Sequence, residues 1–299
     1  MQKLTLNDIK TVLILGSGTL GLRVGLQAAI SGFMTKIYDI NQKSLDSAKS
    51  IQIKLLKSMS SSMGLTEVEV DDVLTRITYT TDPQEAARNV DFINESVTED
   101  VPIKQSVWKQ FGELCPDKTV FTTNTSFLLP SMFADHSGRP ERFCAFHFHD
   151  VFVANVVDIM PHANTSPWVT ELLFDMGKKL NQTPVFIKKE SPGYIFNYML
   201  MHILTAAGSL LSNEIGSIHD IDRSWMGNFN MPVGPFGMID QIGLDTAWHV
   251  SKNTNTKKSM VFANLLKKYM DEGKLGVKTG EGFYKYPNPS YKNSDFLTS

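Results

Sequence analysis

The chain has 299 residues, 42% of them hydrophobic and 20% charged, with 29 basic against 31 acidic side chains. That is enough apolar material for two cores, and charges that nearly cancel exclude a broad electrostatic surface for nucleic acid or membrane. Cys115 and Cys144 are too isolated for a disulfide framework or a metal site, and neither an apolar leader nor a membrane-length apolar run is present, so a cytoplasmic, metal-free protein is expected.

In chain order, Val12-Leu-Ile-Leu reads as a buried strand running into Gly16-Ser-Gly18-Thr19-Leu20-Gly21 and then a helix, Leu22 to Ser31. In such a turn the first glycine permits the bend, the second lets backbone approach a pyrophosphate, and the third lets helix pack close to strand. The helix N-terminus then offers unpaired N–H groups and partial positive charge to phosphates. Lys36-Ile-Tyr-Asp39 reads as the second strand, ending in a carboxylate placed to bind the adenosine ribose hydroxyls. No arginine follows directly to receive a 2′-phosphate, so NAD is favoured over NADP.

Gln42 to Ser62 has helical spacing, with Lys43, Lys49, Lys54 and Lys57 on its polar sides; they fit a solvated face or contacts to a polyphosphate ligand. Strand and helix then alternate: strand from Arg76, helix Pro83 to Arg88, strand Val90 to Glu95, helix Pro102 to Leu114, strand Thr119 to Asn124. This alternation predicts a parallel sheet whose ligands sit at the carboxyl ends of its strands, where Glu95, Glu99, Asn124 and Ser126 fall. Asn124-Thr-Ser126 also suits a plain capping role. Arg142 to His149 puts two histidines, His147 and His149, on one face at a strand end, and Asn155 to Met160 closes a further strand carrying Asp158. An imidazole beside a carboxylate can act as a general base, although a hydrogen-bonded structural histidine fits the pattern too.

The character changes after Lys188. Ser191-Pro192 reads as the start of a long helix to about Leu211, followed by helices Ile218 to Trp225, Met238 to Val250 and Met260 to Met270. The tail, Lys278-Thr-Gly-Glu-Gly-Phe-Tyr-Lys-Tyr-Pro, reads as a glycine-punctuated loop with exposed aromatics. Two domains are expected, 1–188 and 189–299. The apolar helix faces of the second exceed what one small core needs, which predicts a homodimer through that domain.

Several separate stretches, in order and spacing, resemble the L-3-hydroxyacyl-CoA dehydrogenases: the Gly16 to Gly21 turn with Asp39, Glu95 to Lys104, Asn124-Thr-Ser126, the His147 segment, Ser191 to Asn197, Met231-Pro-Val-Gly-Pro-Phe-Gly with Gly243-Leu-Asp245, and Lys278 to Tyr284. The resemblance implies an α/β fold, a Rossmann-type NAD-binding domain followed by an all-helical C-terminal domain. It implies NAD as cofactor and an acyl-CoA thioester as substrate, entering a cleft between the domains. It also implies His147 as catalytic base with Asp158, Ser126 and Asn197 as substrate contacts, and Glu99, Lys104 and Asn124 beside the cofactor. Two departures stand out. The family's usual His-Phe-Phe-Asn-Pro is here His147-Phe-His149-Asp150-Val151, and its acid appears as Asp158, one residue closer and one methylene shorter. The retained pattern Val156-Val157-Asp158-Ile-Met favours His147 with Asp158 over His149 as base. In the helix after Asp39 the family's coenzyme A contacts have no residue-by-residue match, which leaves open a free 3-hydroxy acid substrate, such as a sugar acid, while the altered His147 segment leaves open a nucleotide-binding protein without chemistry.

Overall fold

Buried runs of β-branched and aromatic residues alternating with amphipathic helices dictate layers, and the computed structural model, which describes residues 3–254 and 256–298, has them. In order, the elements are β1 Thr11–Leu15, α1 Thr19–Ile30, β2 Met34–Tyr38, α2 Gln42–Met63, α3 Glu67–Thr75, β3 Ile77–Thr80, α4 Pro83–Ala87, β4 Phe92–Glu95, α5 Val101–Leu114, β5 Val120–Thr123, β6 Phe143–Phe148, β7 Val156–Met160, α6 Pro167–Lys179 and β8 Thr183–Phe186. The helical remainder is α7 Phe196–Ser212, α8 Ile218–Phe229, α9 Pro235–Ile242, α10 Leu244–Thr254 and α11 Lys257–Asp271. One compact unit ends at Ile195 and the other begins at Phe196.

The first unit holds one sheet in the order β3-β2-β1-β4-β5-β6-β7-β8. The order reverses between β1 and β4, and the crevice beyond the strand ends at such a reversal is where doubly wound sheets bind ligands. Strand β7 corrects the expectation of parallel pairing throughout, because it runs antiparallel to β6. The seven residues from His149 to Asn155 cannot make a parallel crossover, which needs a dozen or more. That reversal puts His147 directly opposite Asp158 in the β6–β7 register. Apolar side chains cover both sheet faces; Val12, Ile14 and Phe146 belong to one cluster, Leu13, Leu15 and Trp108 to the other.

Other expectations are corrected locally. The long helix begins at Phe196 rather than at Ser191, since Gly193 and Tyr194 both take positive φ, 79° and 56°, and a right-handed helix cannot pass through them. Gly243, at φ 97°, divides the single helix expected over 238–250 into α9 and α10. Helices α3 and α6 and strand β8 were not anticipated.

The second unit is helical, and two buried carboxylates fasten its turns. Asp222 on α8 accepts from the backbone N–H groups of Phe236 and Gly237 at 2.8 and 3.0 Å, capping α9 from outside, and from the Tyr284 hydroxyl at 2.9 Å. Asp240 on α9 accepts from Phe283 N, Tyr284 N and the Tyr286 hydroxyl at 2.8, 2.8 and 3.0 Å. The tail is therefore packed down, and Tyr284, expected to be exposed, is 4% exposed. A Cβ on Gly282 would lie 2.1 Å from Asp240 Oδ1, so the second glycine of that tail is a packing requirement.

Candidate active site

At the end of β1 the chain turns through Gly16 with φ +97°, its N–H donating to Tyr38 O at 2.8 Å. A Cβ there would stand 2.7 Å from Ser96 O, and one on Gly21 would stand 2.1 Å from Gly16 O, so strand, helix and the β4 end close on one another through these two glycines. Gly18 differs. Its φ is −64°, and nothing lies within 4 Å of where a Cβ would be, so the protein's own packing does not require glycine there. The open space beside it fits a pyrophosphate held against backbone, and Thr19 and Leu20 open α1 with the N–H groups of its first turn.

Asp39, at the end of β2, reaches across to this turn. Its Oδ2 accepts from the Ser17 N–H and hydroxyl at 2.9 and 2.8 Å, and its Oδ1 from Asn41 N at 3.0 Å.

Beyond β4 the polar groups interlock. Glu95 and Lys104 form a buried ion pair at 2.6 Å, with side chains 0% and 1% exposed. Glu95 also accepts from Val97 N and the Thr123 hydroxyl, at 2.8 and 2.7 Å. Removing either partner would strand a buried charge at a cost of roughly 3–5 kcal/mol. Lys104 also reaches Glu99 at 3.3 Å. Glu99 in turn accepts from the Thr125 hydroxyl and from the backbone N–H groups of Ser126 and Phe127, the latter at 3.0 and 3.2 Å. Burial would raise the Glu99 carboxyl; the Lys104 ammonium and these hydrogen bonds outweigh it and hold the group low. Asn124 is similarly engaged, accepting from Phe148 N at 2.7 Å and donating to Ser96 Oγ at 3.0 Å. In this structure Glu99, Lys104 and Asn124 thus organise the turn that carries Ser126.

That turn faces β6. Ser126 Oγ is 3.3 Å from His147 Nε2, and His147 Nδ1 is 3.2 Å from Asp158 Oδ2. The cross-strand register delivers the contact that the shorter acid had put in question. His149 Nε2 also reaches Asp158 Oδ2, at 2.8 Å. His147 is 3% exposed and Asp158 2%. Burial pulls the His147 imidazole below its ordinary range, against the raising effect of the Asp158 hydrogen bond. For Asp158, burial raises the carboxyl but the two imidazole hydrogen bonds prevail and hold it low. With the carboxylate accepting from Nδ1–H, Nε2 is left as acceptor, the arrangement a general base needs.

Tyr194 was missed as a site residue. Its ring stacks on His147, centroids 4.7 Å apart and planes 17° from parallel, and its hydroxyl donates to Thr125 O at 2.7 Å. The pattern Ser191-Pro-Gly-Tyr held a signal, since a turn glycine before an aromatic permits the positive φ that aims the ring. Asn197 sits half-buried in the first turn of α7, in the second unit. Lys43, Lys49, Lys54 and Lys57 are all exposed along α2, and Lys49 lies 5.9 Å from the centre of the Tyr79 ring.

The model of the 3-hydroxyacyl-CoA dehydrogenase NAD-binding domain matches residues 11–191, and that of the family's C-terminal domain matches residues 193–286. A probable 3-hydroxyacyl-CoA dehydrogenase of Caenorhabditis elegans is 31% identical, over 95% of this chain and 98% of its own. The human mitochondrial hydroxyacyl-coenzyme A dehydrogenase is 30% identical over 93% of this chain and 91% of its own. Among solved structures, a diketoreductase described as a catalyst of dicarbonyl compounds superposes with a TM-score of 0.87 at 37% identity, covering 93% of this chain and 99% of its own. The (S)-3-hydroxybutyryl-CoA dehydrogenase of Ralstonia eutropha superposes with a TM-score of 0.86 at 27% identity, covering 94% and 100%. With an NAD-binding first domain and the matching C-terminal domain, the chain belongs to the 3-hydroxyacyl-CoA dehydrogenase family.

Proposed function

We propose that this protein is an NAD-dependent oxidoreductase that interconverts the 3-hydroxyl of a 3-hydroxyacyl-CoA and the 3-oxo group. The observation that carries the reading is the Ser126–His147–Asp158 relay, with Nε2 of His147 left as acceptor at the carboxyl edge of a dinucleotide-binding sheet. When bound, NAD supplies the acceptor for the hydride that leaves C3. Gly16, Gly18, Thr19, Leu20 and Gly21 cradle its pyrophosphate and Asp39 its ribose. His147 Nε2 takes the hydroxyl proton, and Asp158 fixes the imidazole and stabilises the imidazolium that forms. Ser126 and Asn197 bind the substrate oxygens. Positioned proton transfer of this kind is worth roughly 10²–10⁴ in rate.

A second reading keeps this chemistry but replaces the thioester by a free 3-oxo compound. The 37% identity to a diketoreductase favours it, as does the helix after Asp39, α2, where the family's coenzyme A contacts have no residue-by-residue match. The altered histidine segment is the ground for a nucleotide-binding protein without chemistry, and the hydrogen bond between His147 and Asp158 weighs against that reading.

The test is NADH oxidation by the purified protein with acetoacetyl-CoA, beside free acetoacetate, a 3-oxo sugar acid and a simple dicarbonyl compound. Turnover confined to the thioester supports the first reading; turnover confined to the free compounds moves the protein to the second; none on any of them overturns both. We further place the protein in the cytoplasm, a reading supported by two buried thiols, and as a homodimer through its helical unit, where Tyr198, Met199 and Leu210 of α7 are exposed. No helix among the described residues is long and apolar enough to cross a membrane.

A further inference from the structure

His147 near the end of β6 and His149 in the first position after it both reach a single oxygen. His149 Nε2 stands 2.8 Å from Asp158 Oδ2, closer than His147 Nδ1 at 3.2 Å from the same atom. The two rings meet edge to face with centroids 4.8 Å apart. A neutral imidazole carries one N–H, so donation to a shared carboxylate oxygen fixes both tautomers, His147 with its proton on Nδ1 and His149 with its proton on Nε2. Asp158 is 2% exposed, and in such a place a carboxylate is stabilised by the donors it has rather than by water.

We propose that His149 is a positioning residue for the reaction, holding the same Asp158 oxygen as His147 and dividing the carboxylate's charge between the two imidazoles. The kinetic consequence rests on the dehydrogenase reading; the geometry does not. As His147 takes the substrate proton, its imidazolium is stabilised by a carboxylate already engaged on its other side. The charged and titratable groups around the pair are Asp158 on the facing strand, Glu99 from the connection before α5, and Tyr194 stacked on His147 with its hydroxyl on Thr125 O. One residue further along, Asp150 is paired with Arg23 of α1, which anchors the loop that carries His149. Within this set, His149 donates to Asp158 and so weakens the hold of the carboxylate on His147, which makes His147 give up its proton more readily, in the same direction as burial.

The experiment is imidazole nitrogen NMR of the full chain across pH, for the native protein, His149→Phe and His149→Gln, run beside the pH profile of 3-hydroxyacyl-CoA oxidation. In the native protein the expected spectrum has His147 protonated on Nδ1 and His149 on Nε2. In His149→Phe, Asp158 has one donor fewer and its charge acts more fully on His147, so the titration of His147 moves up by about half to one pH unit, and the acid limb of oxidation moves with it. His149→Gln keeps a neutral donor at the reach of Nε2 and stays nearer the native profile. A His147 titration in His149→Phe that is unmoved or moves down overturns the proposal, and so does a Gln variant that shifts as far as the Phe variant. If His149→Phe does not fold, the native spectrum still decides, because His149 protonated on Nδ1 with a bare Nε2 would overturn the assignment by itself. If the native protein oxidises no 3-hydroxyacyl thioester, that reading of the function fails, while the NMR titration still judges His149.

Discussion

Two regions of this molecule are built around buried carboxylates, and they use them in opposite ways. In the second unit, Asp222 and Asp240 each accept three hydrogen bonds from backbone N–H groups and tyrosine hydroxyls. These bonds close the α9 start and the glycine-rich tail. At the β6–β7 end of the first unit's sheet, Asp158 accepts from two imidazoles, and the atom beyond them, His147 Nε2, has an exchangeable contact with the Ser126 hydroxyl. Both regions include stretches on which the family resemblance rests. The difference is that one directs its polar atoms to its own backbone, while the other ends on an atom that can accept a proton from outside. A satisfied network specifies structure; one that ends on a base can do chemistry.

The comparison breaks most sharply at His147. His147→Gln keeps a polar side chain of similar size but removes the base, so turnover in the NADH assay should fall by roughly 10²–10⁴ while NADH binding and the thermal midpoint stay close to native values. Steady-state kinetics beside calorimetric NADH titration separate the two effects. Near-normal turnover would take His147 out of the mechanism, and a collapse of stability would make the β6–β7 carboxylate a structural one like its counterparts in the helical unit.

Asp222→Ala should do the reverse. It leaves two N–H groups at the α9 start and one tyrosine hydroxyl without their acceptor in a buried place, and the expected loss is about 2–4 kcal/mol of folding stability, since each orphaned buried group costs about 1–3 kcal/mol and some will find water. Urea denaturation of the full chain reads it. A loss well under 1 kcal/mol would show that the cap is replaceable and that the Met231 to Gly237 motif is kept for another reason.

What is legible in the sequence follows the same division. The glycine turn was legible because its parts are consecutive: Gly16 and Gly21 close on each other within one strand–turn–helix, and Gly18 lies between them. The order of strand and helix was legible for the same local reason. The antiparallel β7 was not, because alternation gives the sequence of elements and not their direction, although the short loop from His149 to Asn155 held the answer. The resemblance implies Glu99 and Lys104 beside the cofactor; what the sequence does not show is that Glu99 also holds the Ser126 turn and Lys104 pairs with Glu95, contacts that join β4, α5 and the turn after β5 and leave no periodic trace. The tail aromatics read as exposed because their partners, Asp222 and Asp240, lie about 40 to 60 residues away.

Asp39 lies between the two regimes, and it gives the smallest expected effect and the finest test. Its Oδ2 is already used by the Ser17 N–H and hydroxyl and its Oδ1 by Asn41 N, as in the structural carboxylates of the helical unit. It is only half-buried, however, and a carboxylate oxygen has capacity for a second donor, so ribose hydroxyls can add to the bonds it makes. Asp39→Ala should therefore weaken NADH by about tenfold, the equivalent of one hydrogen bond to a charged group, while kcat at saturating NADH stays within about twofold of native. Stability should fall by no more than about 1 kcal/mol, because the groups it releases can turn to water. Titration of NADH into the variant, with kcat measured at saturating cofactor, distinguishes the outcomes. Unchanged NADH affinity would make Asp39 a clamp on the Ser17 turn alone, and a fall in kcat at saturation would show that the glycine turn and the His147 relay are more tightly coupled than their separate hydrogen-bond networks imply.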